Sequence, residues 1–151
     1  MLRKKIEDLL LSVTKPARYI GGESGSVIKN KDNISVRFAF CFPDTYDIGM
    51  SHLGMKILYS LINQRADYWC ERVFAPGIDF EKLMRENRIP LYALESLDPL
   101  SEFDFIGFTM QYELSYTNVL NMLDLAGIPI LSKDRDDKLT NIIVAGGPCV
   151  C

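Results

Sequence analysis

The sequence predicts an α/β fold, a doubly wound parallel sheet of the flavodoxin-like or Rossmann-like kind. Three observations predict it. Short, strongly apolar runs recur at residues 34–42, 68–75, 104–110 and 141–146. Segments with an apolar stripe at the helical period lie between them, and turn residues punctuate the joins. Strand, helix, strand, helix in alternation is the order that parallel strands with helical crossovers require.

Taken in order, residues 2–13 place Leu2, Ile6, Leu9, Leu10 and Val13 on one helical stripe, which Pro16 ends. Gly21, Gly22, Gly25 and the polar run 29–33 then read as loop, so residues 1–33 are expected to form a helix-and-loop extension ahead of a domain at 34–151. Residues 34–42 alternate, with Ile34, Val36, Phe38, Phe40 and Phe42 on one face. Pro43-Asp44 breaks the run. A helix is predicted from about Ser51 to Gln64, with Ser51 as N-cap and Leu53, Ile57, Leu58, Leu61 and Ile62 buried. A second strand, 68–75, stops at Pro76-Gly77. Asp79 is expected to cap a short helix holding Phe80, Leu83 and Met84, and residues 90–94 form a brief extended piece. The run 104–110 is almost wholly apolar, as a strand buried on both faces must be, and 141–145 reads the same way. Between them a helix over about 114–126 closes at Gly127.

Bulk properties narrow the function. A length of 151 residues suits one domain, and 48% hydrophobic with 25% charged residues gives a core and a polar surface. The net charge of −3 argues against a phosphate-binding face and so against a nucleic-acid partner. The longest apolar runs are about ten residues or fewer, too short for a bilayer, and no membrane partner is expected. The start, charged and then amphipathic, is not a secretory signal, and a cytoplasmic protein is expected. Cys41, Cys70, Cys149 and Cys151 do not have disulfide-framework spacing, and Cys149-Val-Cys151 alone is half a metal site at most, so no metal ligands are assigned.

Ligands of such sheets sit beyond the carboxyl ends of the strands, where residues 43–52, 109–116 and 146–148 fall. In the first loop Asp44 and Asp47 can orient a ligand, and Gly49 and Gly54 can admit backbone to it; capping a turn and tight packing explain them equally well. His52, the sole histidine, has no partner at ligand spacing and more commonly would be a structural residue. Gly146-Gly147-Pro148 fits neither dinucleotide nor P-loop patterns, yet clears two side chains from the ligand edge. No Ser-His-Asp set or Cys-His pair is visible, and no catalytic residue is assigned.

Several stretches in combination carry a resemblance: Lys15-Pro-Ala-Arg-Tyr-Ile-Gly-Gly-Glu23, Phe42-Pro-Asp-Thr-Tyr-Asp-Ile-Gly-Met-Ser-His-Leu-Gly54, Glu71-Arg-Val-Phe-Ala-Pro76, Leu94-Glu-Ser96, Phe103-Asp-Phe-Ile-Gly-Phe108 and Ala145-Gly-Gly-Pro-Cys149. Together they resemble the N-terminal part of a bacterial radical S-adenosylmethionine (SAM) protein family that carries a cobalamin-binding-type domain ahead of the radical domain. The resemblance implies a five-stranded flavodoxin-like fold, of which this chain would lack the last helix and strand. It further implies a downstream radical domain of the same protein, whose CxxxCxxC motif holds a [4Fe-4S] cluster beside S-adenosylmethionine. That motif is absent from this sequence.

Histidine-ligated cobalamin domains carry D-x-H-x-x-G, S-x-L and G-G after successive strands. Laid on that pattern, Asp44, Tyr46 and Gly49 match the first element, with tyrosine at the histidine position. Thr109 and Gln111 stand at the second, Gly146 and Gly147 at the third, and His52 lies six residues beyond the histidine position. A neutral phenol, titrating near 10, is a poor cobalt ligand at pH 7. The resemblance therefore implies a domain that is not catalytic by itself and that binds a corrinoid, or shells a small-molecule substrate, around these residues. A degenerate Rossmann-like scaffold without cofactor is the alternative, and a flavin or nucleotide domain the less favoured one, because no phosphate-cradling loop is visible.

Overall fold

A computed structural model describes residues 2–135 and 141–150. Four parallel strands, β1 (Val36–Phe42), β2 (Tyr68–Phe74), β3 (Phe105–Thr109) and β4 (Ile142–Gly146), form one sheet in the order β2-β1-β3-β4. The α/β class and parallel pairing match the sequence expectation. The helices are α1 (Leu2–Leu10), α2 (Tyr46–Ser51), α3 (Leu53–Asn63), α4 (Ile78–Asn87) and α5 (Tyr116–Leu125). Right-handed crossovers set α3 on one face of the sheet and α4 and α5 on the other. Contacts agree: Tyr59 of α3 lies under the Arg72 guanidinium, whereas Arg85 of α4 reaches Asp124 and Asn121 of α5.

The strands hold because their centre is dry. Ala39, Cys41, Cys70, Val73 and Ile106 are fully buried, as strands covered on both faces require. Ile6, Leu10 and Tyr19 join this same core from the N-terminal segment. Gly107 lets the sheet take a large ring, since a Cβ there would come within 2.5 Å of the Phe38 ring. The Phe38 ring also stacks on Phe105, 6.2 Å between centroids. The outer edge of β2 is covered: Leu94 N–H donates to Arg72 O at 2.9 Å, and the Glu95 carboxylate takes the Arg72 backbone N–H at 2.8 Å.

Several element-level expectations need correction. The first helix stops at Leu10, short of Val13. His52, not Ser51, caps α3; Ser51 ends the separate short helix α2, whose turn lets the chain leave β1 before α3 starts. The helix after β2 is entered at Gly77, and Asp79 lies in its first turn, where it accepts from the backbone N–H of Thr14 at 2.9 Å rather than capping. The helix expected over 114–126 opens as a 3-10 turn, Glu113–Ser115, and becomes α-helical at Tyr116.

The largest correction concerns α3. Its inner face is Met55 and Tyr59, with Ile62 partly buried against the core, whereas Leu53, Ile57, Leu58 and Leu61 point outward, between 46% and 68% exposed. The helix packs chiefly against β2, so its apolar flank is left uncovered, with Leu58 alone reaching the edge of a cleft beside β4. Beside it β4 is also open, not buried: Ile142 is 51% and Val144 42% exposed. An apolar helix flank next to an apolar outer strand is a surface that associates. Sedimentation of the 17.2 kDa chain is expected to show reversible self-association that rises with concentration. Leu61→Lys with Val144→Lys should shift it to monomer while moving the urea midpoint by only about 0.5 kcal/mol in stability terms.

Candidate functional site

At the carboxyl ends of β1, β3 and β4, on the α3 face, a cleft of about 410 Å³ opens between Leu58 of α3 and Val144 of β4. Phe38 and Phe40 form its floor, and His52, Thr109, Gln111, Gly146 and Gly147 line it. Five of the eight residues singled out from sequence are thus brought together. Thr109 ends β3 and is 8% exposed, and Gln111 Nε2 donates to its Oγ1 at 2.5 Å. His52 accepts the Met55 N–H through Nδ1 at 3.1 Å as the α3 cap, and its ring lies 5.4 Å from that of Phe42.

The two glycines differ. A Cβ on Gly146 would meet nothing within 4 Å, so that position opens directly onto free space. Gly147 has φ +115°, and a Cβ there would come within 2.5 Å of Met110 O. Its glycine serves the turn, in which Met110 N–H donates to Gly146 O at 2.7 Å and Cys149 N–H to Met110 O at 3.2 Å. A side chain at 147 therefore disrupts the chain itself rather than filling the cleft.

Asp44, Tyr46 and Gly49 do not line the cleft. Asp44 accepts from the Tyr112 hydroxyl and from Thr45 N–H at 2.6 Å, while its backbone ties the ends of β1 and β2 through Ala75 N–H. The Tyr112 phenol is pushed up, first by that hydrogen bond. Tyr46 donates to Glu23 at 2.7 Å and packs edge-on against Phe74; burial and the Glu23 carboxylate push its phenol up to about 12. Gly49 sits in α2 where a Cβ would strike the Phe74 ring at 2.3 Å, so close packing accounts for it.

A family model described as "Radical SAM proteins, N-terminal" matches residues 54–151. The chain belongs to this family. It is also similar to the uncharacterized protein MJ0966 of Methanocaldococcus jannaschii, 30% identical over 112 residues, an alignment covering 74% of this chain and 19% of that protein. The chain thus spans about a fifth of the length of the curated relative it matches. No solved structure matches. Among the described residues no group of three or more His, Cys, Asp or Glu side chains is placed to hold a metal, and no helix is long and apolar enough to cross a membrane. Cys151 lies outside the described residues.

Sequence reasoning missed the charge cluster of this radical SAM N-terminal domain. Arg72, 6% exposed, donates through Nε to Glu95 at 2.6 Å and through Nη2 to Glu23 at 2.8 Å and Ser26 at 3.0 Å. On the opposite face of β2, Glu71 is fully buried and pairs with Arg37, whose guanidinium lies 4.2 Å from the centre of the Phe103 ring. The available signal was Glu71-Arg72 in the middle of an otherwise apolar strand run. Burial pushes both Glu95 and Glu71 carboxyls up against the lowering by their arginines, and Arg72 is itself raised by its carboxylate partners, which outweigh its burial.

Glu23 moves the other way. Burial raises it, but hydrogen bonds from Tyr46, Ser26 and Arg72 prevail and bring it from 4.5 to about 2. A depressed carboxyl stabilises the fold above its unfolded value and ceases to as pH falls through the folded one. Glu71 and Glu95, being raised, act in the opposite sense, so the variant must isolate Glu23. Urea midpoints of the chain and of Glu23→Gln are expected to differ most above pH 4.5, with the unmutated chain more stable, and to converge towards pH 2. A difference independent of pH would contradict this. Arg72→Leu, which leaves Glu95 buried without its cation, should cost about 3–5 kcal/mol in the same assay.

Proposed function

We propose that this chain is a non-catalytic N-terminal module of a radical SAM enzyme, and that its cleft receives part of a corrinoid held without a protein ligand to cobalt. The cleft carries the reading: an apolar floor at the carboxyl edge of three strands, rimmed by a hydroxyl, an amide and the open Gly146, suits a bulky ligand with a polar tail. The residues present fit the tail of such a group. They do not fit a protein ligand to cobalt: the Tyr46 hydroxyl is held by Glu23, with its phenol pushed up to about 12, and lies outside the cleft, and His52 on the cleft wall spends Nδ1 on the Met55 N–H as the cap of α3.

A bound corrinoid supplies alkyl transfer at its cobalt. The chain's own contribution is to bind and exclude water. Phe38 and Phe40 desolvate one side of the ligand, Thr109 and Gln111 offer hydrogen bonds at its rim, and the missing side chain of Gly146 leaves room for it. The radical chemistry itself needs three thiolates in CxxxCxxC spacing, which this sequence does not contain. The [4Fe-4S] cluster and S-adenosylmethionine accordingly belong, in this reading, to another part of a longer cytoplasmic protein.

A specific observation supports a second reading, a scaffold that binds no cofactor: Asp44, Tyr46 and Gly49 are all spent on internal contacts. Absorbance titration with hydroxocobalamin separates the two. Binding is expected, with cobalt bands unchanged by Tyr46→Phe and affinity lowered at least about tenfold by Gly146→Val, whose added bulk enters the cleft at a position where a Cβ meets no neighbouring atom. Absence of binding at about millimolar cobalamin would leave the scaffold reading.

A further inference from the structure

A separate cavity of about 320 Å³ lies beside Arg72, between α3 and the loop at residues 24–25. Its walls include Met50, Met55, Lys56, Tyr59 and Ser60, together with Arg72. We propose that this cavity binds a small organic carboxylate, a monoanion with an apolar body. It shares none of the groups assigned to the corrinoid cleft and stands independently of that reading.

The Arg72 side chain is 7% exposed, and two of its three nitrogens are held by Glu95, Glu23 and Ser26. The third, Nη1, has a single partner among the described residues, the Met50 thioether at 3.1 Å. A thioether is a weak acceptor, so a buried guanidinium donor is left poorly satisfied and facing a cavity. Met50 is half-buried and flexible in kind, and a ligand oxygen can take its place on Nη1. At the mouth Lys56 is exposed, and its ammonium makes no hydrogen bond or ion pair among the described residues.

Charge and shape set the class. The Arg72 guanidinium already pairs with the Glu23 and Glu95 carboxyls, so an added anion depends on Lys56 as its counter-ion, which matches one negative charge and not a phosphate dianion. Met50, Met55 and Tyr59 make the remaining wall apolar, which favours a hydrocarbon or aromatic body behind the carboxylate. The Ser60 hydroxyl offers a further donor at the mouth.

The test is a titration of the whole chain, carrying 13C-methyl methionine, with sodium benzoate. The Met50 and Met55 methyl signals should shift and saturate with a Kd on the order of 1 mM; Met50→Leu identifies the first signal by its loss. Inorganic phosphate and benzyl alcohol at the same concentrations should leave both signals in place. Lys56→Gln, at an exposed position outside the buried cluster, should weaken benzoate binding about fivefold or more with an unchanged thermal melt. Signals unmoved at about 50 mM benzoate, an equal response to benzyl alcohol or phosphate, or equal affinity in Lys56→Gln would each overturn the proposal.

Discussion

The Arg72 side chain is the point on which the rest of this domain depends. It stands on the edge strand of a parallel sheet, where backbone N–H groups would otherwise face solvent. Glu95 answers both needs with one carboxylate: one oxygen takes the Arg72 backbone N–H at 2.8 Å and the other its Nε at 2.6 Å. Glu23 takes Nη2 and thereby fastens the loop after the first helix, which also reaches α3 through Val27 N–H to the Tyr59 hydroxyl at 2.8 Å. Three distant segments are thus tied to one cation in a dry setting, where removal of a single partner is far more costly than an exposed ion pair would suggest.

That arrangement makes the two ends of the sheet unlike. At β2 the edge is covered by the 92–97 segment, and the interior holds charges paired across the cluster. At β4 the strand is exposed and apolar, and the helix flank beside it is apolar too. The cleft lined by Thr109 and Gly146 lies at this open end, and the Arg72 cavity lies at the closed one.

The chain is a domain of the radical SAM N-terminal family. Within it, the polar residues after β1 act inward. Asp44 orders Tyr112, Tyr46 orders Glu23, and Gly49 admits the Phe74 ring. They make the loop rigid rather than supplying it with free donors. The residues after β3 and β4 instead line the cleft.

The sequence by itself determined the strands and their order of appearance, because apolar runs bounded by Pro and Gly leave little alternative for a buried parallel strand. It also determined that Gly146 and Gly147 stand at the carboxyl edge of the sheet. Only the tertiary structure decided which face of α3 is inside. Leu53, Ile57, Leu58 and Leu61 form as good a stripe as Met55, Tyr59 and Ile62, and periodicity cannot rank two apolar faces when one of them lies bare. Only the structure showed that Gly147 serves a turn while Gly146 opens a space, since that depends on where Met110 comes to lie. Likewise Glu23, Arg72 and Glu95 lie 49 and 23 residues apart along the chain. Their union is a property of packing in three dimensions, where a charge is tolerated inside only if the fold brings its partner to it.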